Sequence, residues 1–332
     1  MQLIKSDNLL STLYRIHFPE NGKVFLFADF DGTFMPFSHK SVCTERSLFP
    51  KEEFSRYFGL LSDFLKNNEK RLELIITTGR NLPKFTAFLE HIKRNEAHIP
   101  LPKKVIVNNG GDIYQSNNPE NIFKGGEARY TNDNPFAQAK RAAIKELTGW
   151  DGFEIKNKII AILESLNFQV LEVPINEFSS TYGELTLQYY LEKYGLDHNS
   201  SNFASIQDDG LLGFHIAFCK EMNNNENYLN SLCKGISDSF KNKISYSVQT
   251  TLYDWQAGYS PSIRLLPSID GKPLNKLYDI KECLKNVIEN NTRDLVIAAG
   301  DDENDLPMLT PESYADLDGE TKAFLGIQII NC

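Results

Sequence analysis

The chain has 332 residues, of which 41% are apolar and 24% charged, a composition typical of globular proteins that excludes wholesale disorder. Its 35 Lys and Arg against 44 Asp and Glu give a formal charge of −9, which argues against nucleic acids and anionic membranes as partners because both bind clustered cations. No apolar run approaches the roughly 20 residues of a membrane span, the N-terminus has no secretory hydrophobic region, and the five cysteines are scattered. We therefore expect a cytoplasmic protein of about two domains, with its oligomeric state left open.

Short apolar segments that end in polar residues or glycine predict buried parallel strands. These segments are Val24–Ala28, Leu72–Ile76, Val105–Val107 and Leu295–Ala299. Apolar residues at helical spacing lie between them; they are Tyr57, Leu61, Phe64 and Leu65, then Leu82, Phe85, Leu89 and Ile92, and before the last strand Leu277, Ile280, Leu284, Val287 and Ile288. This alternation predicts an α/β fold with a doubly wound, Rossmann-like parallel sheet and right-handed crossovers.

The middle of the chain has a different pattern. Two helical stretches, near 135–147 and 155–166, are mixed with isolated strands at 169–173, 214–218 and 246–253. We predict an inserted α+β cap domain at 113–259, with the core formed by 1–112 and 260–332. The segment after GDDENDLPML leaves the last strand of the core undefined.

A polar loop follows each predicted strand of the core. These loops are DFDGT at 29–33, TTGR at 77–80, NNGG at 108–111 and GDDEND at 300–305. The carboxyl ends of parallel strands share one edge of the sheet, which is where open α/β sheets bind ligands. The four loops are therefore expected to form one site.

The carboxylates of these loops favour a bound cation. Gathered carboxylates repel one another and raise each other's pKa unless a cation lies among them. Mg²⁺ suits such oxygen ligands together with a phosphate, whereas neither acidic cluster has the glycine of a calcium loop. With Mg²⁺ bound, Asp29 can attack a phosphorus atom as a nucleophile, and Asp31 can donate a proton to the leaving oxygen.

The four motifs, in this order, resemble those of the haloacid dehalogenase-like phosphohydrolases. The resemblance covers about residues 20–112 and 262–310 and is nearest to the Cof-like and sucrose-phosphatase-like members, whose large cap is inserted between the second and third motifs. It implies that Asp29 forms an aspartyl-phosphate and ligates Mg²⁺, and that Asp31 acts as general acid and then general base, with its backbone carbonyl on the metal.

The resemblance also assigns the remaining metal and phosphate ligands. It implies that Asp301 ligates Mg²⁺, that Asp305 holds the water shell of the metal with Asn304 beside it, and that Thr78 binds the phosphoryl group. Gly79 and Asn109 complete the expected phosphate-binding set, although a tight turn explains Asn109 almost as well.

Two lysines are candidates for the phosphate-binding cation that the resemblance implies. Lys272 is favoured because it lies five residues after Pro267, which fits the family pattern of a proline that ends a strand. Lys276 is the alternative because it opens the helical periodicity that starts at Leu277. Arg80, in the second motif, is equally suited to contacting substrate or to pairing with a carboxylate.

The expected function is that of a Mg²⁺-dependent phosphatase that acts on a small phosphorylated metabolite, with sugar phosphates first. Two alternatives stay open. One is a phosphomutase of the phosphomannomutase kind, whose first motif is followed soon by a proline like Pro36 here. The other is a catalytically silent ligand-binding or regulatory protein.

Overall fold

The computed structural model describes residues 2–35, 51–82, 85–86, 89, 101–115, 135–173, 203–208, 212–218, 226–240, 244–249, 262–269, 272–287, 294–301, 305–314 and 323–330. The chain divides into two compact units. Unit 1 consists of Met1–Ala128 and Asn275–Cys332, and unit 2 of Arg129–Leu274. The boundaries thus lie about fifteen residues after those expected from the sequence, at 128/129 and 274/275 instead of 112/113 and 259/260.

The described strands and helices are numbered here in chain order. The strands are β1 (Gln2–Ser6), β2 (Val24–Asp29), β3 (Leu72–Thr77), β4 (Lys104–Val107), β5 (Asp112–Gln115), β6 (Gln169–Val173), β7 (Phe203–Asp208), β8 (Phe214–Phe218), β9 (Ile244–Gln249), β10 (Ser262–Ile269), β11 (Lys272–Pro273), β12 (Leu295–Gly300) and β13 (Ala323–Ile329). The helices are α1 (Leu9–Leu13), α2 (Lys51–Asn67), α3 (Pro135–Thr148), α4 (Gly152–Ser165), α5 (Glu226–Ser239), α6 (Lys276–Val287) and α7 (Leu306–Leu309), with a 3₁₀ turn at Pro311–Tyr314.

Unit 1 contains a seven-stranded sheet in the order β1-β13-β12-β2-β3-β4-β5. Its neighbours pair in parallel, except that β5 returns antiparallel to β4. The four predicted strands are β2, β3, β4 and β12, and every residue of β2 and β12 is buried, as continuous apolar runs in a parallel sheet require. The predicted α/β fold is therefore confirmed.

Amphipathic helices supply the apolar side chains that cover this sheet. Helix α2 buries Phe58, Leu61 and Phe64, and α6 buries Ile280 and Leu284, at the three- and four-residue spacing that places side chains on one helix face. The two α6 side chains join a cluster with strand residues, among them Phe25, Phe27, Ile106 and Val296. This packing holds α6 against the sheet of unit 1.

Unit 2 has an α+β organisation of its own. Its six-stranded sheet runs β11-β10-β8-β7-β6, with β9 on β10, and only β6 and β7 pair in parallel. A separate apolar core includes Trp150, Ile159, Phe214 and Ile236. Strand β10, which the sequence assigns to the core by its boundary at 260, pairs with strands of this second sheet. Among the described residues of the whole chain, no helix is long and apolar enough to cross a membrane.

Candidate active site

Strand register brings the motif loops of unit 1 to one edge of its sheet. Asp29 ends β2 opposite Thr77 of β3, and Thr77 lies opposite Ile106 of β4. On the other side, Ala28 pairs with Ala299, so that Gly300 comes level with Asp29. Because these strands are parallel, the loops that follow them emerge side by side.

A buried lysine joins two of the predicted carboxylates. The Lys276 ammonium donates hydrogen bonds to Asp29 Oδ1 and, at 2.6 Å, to Asp305 Oδ1. Asp29 and Lys276 are 5% and 6% exposed, and Asp305 is fully buried. Helix α6 begins at Lys276, and the Asn275 side chain caps it by accepting the Leu277 N–H at 3.0 Å. The start of α6 therefore places the Lys276 ammonium next to the end of β2.

The fourth motif folds around Asp301. The second oxygen of Asp305 accepts the Asp301 N–H at 3.2 Å, and the Thr33 hydroxyl is 3.1 Å from Asp301 Oδ1. Gly32, at a φ of +76°, lies so near that a Cβ there would be 2.1 Å from Asp301 Oδ2. The first and fourth motifs can therefore meet only because Gly32 tolerates a positive φ and has no side chain.

The carboxylates of Asp29, Asp301 and Asp305 form the cluster that fits a cation. One oxygen of each lies within 4.8 Å of the others. Burial raises the pKa of Asp29 well above its ordinary value, and the nearby Asp305 charge raises it further, against a smaller lowering by Lys276. The single ammonium thus leaves net negative charge among oxygen donors, which is the donor set that Mg²⁺ takes.

Lys276 keeps its charge despite its burial. Desolvation lowers the pKa of a buried ammonium, but here the Asp29 and Asp305 charges and their hydrogen bonds outweigh it, so that the pKa of Lys276 is raised above its usual value. The lysine is therefore a fixed cation next to the proposed nucleophile.

The second and third motifs form a backbone network at the same edge. The Thr78 Oγ1 accepts the Arg80 N–H at 3.1 Å and keeps its own proton to donate. The Asn109 N–H donates to the Thr78 carbonyl at 3.2 Å, and the Asn108 N–H to the Arg80 carbonyl at 2.9 Å. Gly79 lies between Thr78 and Arg80 in this loop, so hydrogen bonds hold the backbone on both sides of it.

The turn of the third motif has an unusual backbone. Asn108 and Asn109 have φ values of 55° and 52°, and Gly110 follows at 90°. Asparagine tolerates this left-handed region better than most residues. A Cβ on Gly110 would lie 2.3 Å from the Asn275 carbonyl oxygen and 3.2 Å from Lys276 Cα. The turn therefore packs directly against the residues that begin α6.

The Asp31 carboxylate is bound by Arg80. The sequence left open whether this arginine contacts substrate or pairs with a carboxylate. Arg80 Nε and Nη2 donate to the two Asp31 oxygens, each at 2.9 Å. The Asp31 side chain is 37% exposed, and it is not part of the three-carboxylate cluster. The Asp31 side chain thus has a partner and a setting different from those of Asp29.

The structure separates the two candidate lysines. Lys276 lies against Asp29 in unit 1, whereas Lys272 belongs to unit 2, where its backbone pairs with Ile269 in β10. Pro267 lies inside β10 instead of ending it, which removes the landmark for choosing Lys272. Geometry therefore favours Lys276 as the lysine of the site. Asn304 and Pro36 lie outside the described residues.

Other contributors to the site were not identified as such from the sequence. Thr33 and Gly32 belong to DFDGT, and Gly300 is the first residue of GDDEND. A Cβ on Gly300 would lie 2.4 Å from the Asp305 Cβ. Their position next to acidic residues is the only signal in the sequence, because a close approach between distant loops leaves no periodic pattern.

Comparison with known proteins gives similarity at the level of structure. No family model and no curated protein matches the chain. Similar solved structures include sucrose-phosphatase from Synechocystis sp. PCC6803 with sucrose and phosphate (11% identity, TM-score 0.46, 92% of each chain) and a haloacid dehalogenase-like hydrolase from Bacillus subtilis (17%, 0.46, 95% of this chain and 92% of that one). A third is the C-terminal domain of the trehalose synthase regulatory protein from Candida albicans (10%, 0.47, 98% and 89%).

Proposed function

We propose that the chain is a haloacid dehalogenase-like, Mg²⁺-dependent phosphatase that works through an aspartyl-phosphate on Asp29. The observation that carries the proposal is the buried Asp29 carboxylate at the end of β2, in contact with Lys276 and grouped with Asp301 and Asp305. A nucleophilic carboxylate needs its charge compensated before a phosphate dianion can approach, and this arrangement supplies one cation and the ligands for another.

The metal would be held by Asp29, Asp301 and Asp305, with the Asp31 backbone carbonyl as the further ligand that the motif resemblance implies. When bound, Mg²⁺ neutralises charge on the phosphoryl oxygens and on the attacking carboxylate. Asp305 also accepts hydrogen bonds from Lys276 and from the Asp301 backbone. It thereby holds the fourth-motif loop in place whether or not it ligates the metal directly.

In the proposed phosphoryl transfer, different residues act as the nucleophile, as the acid and base, and as donors to the phosphoryl oxygens. An Asp29 oxygen forms a bond to phosphorus while the bond from phosphorus to the leaving oxygen breaks, and Asp31 gives its proton to that oxygen. Water then attacks the phosphorus, Asp31 takes a proton from it, and the bond to Asp29 breaks. Lys276 and the Thr78 hydroxyl stabilise the negative charge of the phosphoryl oxygens, where one well-placed donor contributes on the order of 3 kcal/mol.

The substrate we propose is a small phosphorylated metabolite, with sugar phosphates as the first candidates. This part rests on the motif resemblance, in which an inserted cap excludes bulk water and selects the leaving group, as lids generally do. We further propose a cytoplasmic location, as the scattered cysteines of the sequence led us to expect. Gly79 and Asn109 are proposed to assist Thr78 in binding the phosphate.

Phosphate release from a panel of phosphorylated sugars and nucleotides, with Mg²⁺ and with EDTA, tests the proposal. Turnover should require the metal and should fall by several orders of magnitude in Asp29→Asn. Asp294→Asn is the matched control, because Asp294 is a buried carboxylate of the same unit that accepts the Lys23 N–H at 2.8 Å, a bond that asparagine can keep. It should retain activity.

Two results would contradict the proposed function. Metal-independent turnover, or turnover that survives in Asp29→Asn, would remove Asp29 as the nucleophile. Isomerisation of a phosphorylated sugar supplied with its bisphosphate, without net phosphate release, would identify a mutase instead.

A further inference from the structure

An ion pair between Arg80 and Asp31 lies at this sheet edge, and the phosphoryl transfer proposed above gives Arg80 no role. Both oxygens of the Asp31 carboxylate accept from the guanidinium at 2.9 Å, in a two-pronged geometry. The Arg80 side chain is 14% exposed and the Asp31 side chain 37%. The arginine is thus the more buried partner, and it fixes a carboxylate that would otherwise be free to rotate at the open side of the site.

Arg80 is itself anchored on both sides of its backbone. Its N–H donates to Thr78 Oγ1 at 3.1 Å, and its carbonyl accepts the Asn108 N–H at 2.9 Å. The residue therefore stands on a loop that is tied to both the second and the third motif. A guanidinium fork on such a support restrains the plane of the carboxylate as well as its position, which a lysine ammonium does not do.

The backbone of Asp31 is restrained independently. Phe30 donates its N–H to the Thr77 carbonyl at 3.0 Å, Asp31 forms a bridge with Met35, and Gly32 has no room for a side chain against Asp301. What remains adjustable at Asp31 is the direction of its carboxylate. Arg80 determines that direction.

We propose that Arg80 is a positioning residue for proton transfer by Asp31, an inference that rests on the proposed phosphatase function. The guanidinium has no proton to exchange near neutral pH, so it acts through Asp31. When the bond from phosphorus to the leaving oxygen breaks, the Asp31 proton passes to that oxygen and a carboxylate remains. The fork stabilises this carboxylate and restrains its plane and position until it takes a proton from the attacking water.

This role predicts a dependence on the leaving group. An aliphatic alkoxide must be protonated as it leaves, whereas p-nitrophenolate leaves without a proton. Arg80→Ala should therefore lower kcat/KM for the best sugar phosphate by about 100-fold, the scale at which a small displacement of a catalytic group acts, and for p-nitrophenyl phosphate far less. The ratio kcat/KM is the right quantity because it reports the steps up to aspartyl-phosphate formation and excludes the later hydrolysis.

The variants are chosen to separate positioning from simple structural loss. Arg80→Lys keeps the charge without the fork and should show the same selectivity for the leaving group. Asp31→Asn should reproduce that selectivity, and Arg80→Ala added to it should cause no further loss, because the two residues act as one unit. Lys104→Ala is the matched control, since it breaks the 3.0 Å pair between Lys104 and Glu73 at the opposite edge of the sheet, and both substrates should be unaffected.

The outcomes distinguish this inference from the proposed function. Equal losses for both substrates in Arg80→Ala and Arg80→Lys, with thermal stability unchanged, would overturn the positioning role and leave the phosphatase intact. A rise in KM at constant kcat would also overturn it, because it would show that Arg80 binds substrate directly. Absence of turnover in the wild type on both substrates would overturn the proposed function and the inference together.

Discussion

Among the described residues, Lys276 and Arg80 are cations that contact carboxylates at the sheet edge, and each lies in a different setting. Lys276 is buried between Asp29 and Asp305, where low dielectric strengthens the interaction and makes an uncompensated charge costly. Arg80 pairs with the part-exposed Asp31. Carboxylates placed in different environments can take different roles, and we propose the buried Asp29 as the nucleophile and the part-exposed Asp31 as the proton donor.

Replacing the buried cation tests its role directly. Lys276→Met should lower the rate of phosphate release by about 10²- to 10³-fold, because it removes a fixed cation from the developing charge. It should also lower the free energy of unfolding of the metal-free protein by about 3–5 kcal/mol, since it leaves two carboxylates buried without their cation. Steady-state kinetics and urea unfolding measure the two effects.

Lys272→Met is the control for this variant, because Lys272 was the other candidate for the same role and lies in unit 2. It should retain the wild-type rate. A loss as large in Lys272→Met as in Lys276→Met would contradict the assignment of Lys276.

The raised pKa of Asp29 has a consequence for stability. Since burial and Asp305 raise the folded-state pKa above the ordinary 3.8, the carboxyl favours folding when protonated, and this contribution is lost as the pH rises through the folded-state pKa. Asp29→Asn removes the charge, so it should raise the thermal midpoint in EDTA at pH 7. The gain should shrink as the pH falls towards the unfolded-state value.

The thermal midpoints of the wild type and Asp29→Asn should also be compared with and without Mg²⁺. Adding Mg²⁺ should raise the midpoint of the wild type more than that of Asp29→Asn, because a ligand of the folded state stabilises it by mass action. A variant that is less stable than the wild type at pH 7 in EDTA would show that the carboxylate does not carry unfavourable charge.

At the scale of elements, continuous apolar runs were sufficient to predict the central strands, because burial on both faces leaves a strong pattern. The strands missing from the prediction lie at the sides of the sheet. Strand β1 (QLIKS) has only two apolar residues among its five positions, and β5 is four residues long. Strand β13 is largely buried, but the sequence before it, ADLDGETK at 315–322, has no helical periodicity, so no alternation of strand and helix predicted it.

The choice between the two lysines shows another limit of sequence patterns. Helical periodicity correctly predicted α6 from Leu277. It did not indicate that the ammonium of Lys276, the first residue of that helix, contacts Asp29. That information lies in the contact of Gly110 with Asn275 and Lys276, between segments about 165 residues apart. Such long-range contacts have no signature in a single sequence.

The substitution Gly110→Ala, which adds one methyl group, tests the packing of the third-motif turn on α6. Gly110→Ala places a Cβ 2.3 Å from the Asn275 carbonyl, at a φ of +90°. It should cost about 1–3 kcal/mol of stability through backbone strain and lower kcat by displacing Lys276. Thermal unfolding and kinetics of the same preparation measure both.

Gly59→Ala is the matched substitution, in helix α2 with open space around the new methyl group. It should be neutral or stabilise the protein by about 0.5–1 kcal/mol, because alanine favours a helix over glycine. Wild-type kcat in Gly110→Ala would contradict the positioning of Lys276 by this turn.

At the scale of the whole molecule, the described residues form an apolar core in each of the two units, and unit 1 is built from two separate segments of the chain. An insert was recognisable because its helices and strands break the alternation of the core. The sequence pattern places the end of the predicted insert at 259, before β10. The pairing of β10 with β8 and β9 assigns it to the second unit.

Separate cores predict separate local stabilities. Phe214→Ala removes a fully buried ring that stacks on Trp150 with centroids 6.0 Å apart, and should cost about 3–5 kcal/mol. Hydrogen exchange should accelerate at amides of β7 and β8, while β2 and β12 keep their protection. An equal loss of protection in both sheets would show that the two units unfold as one.

The most direct test of the central claim is to trap the phosphoryl group on the protein. The wild type, mixed with a labelled phosphate monoester that it hydrolyses and quenched in acid within one turnover, should carry label on the peptide that contains Asp29. The bond should be labile to hydroxylamine, as an acyl phosphate is, and Asp29→Asn should carry none. Hydrolysis by the wild type with no label on Asp29, or label on a different residue, would contradict the account.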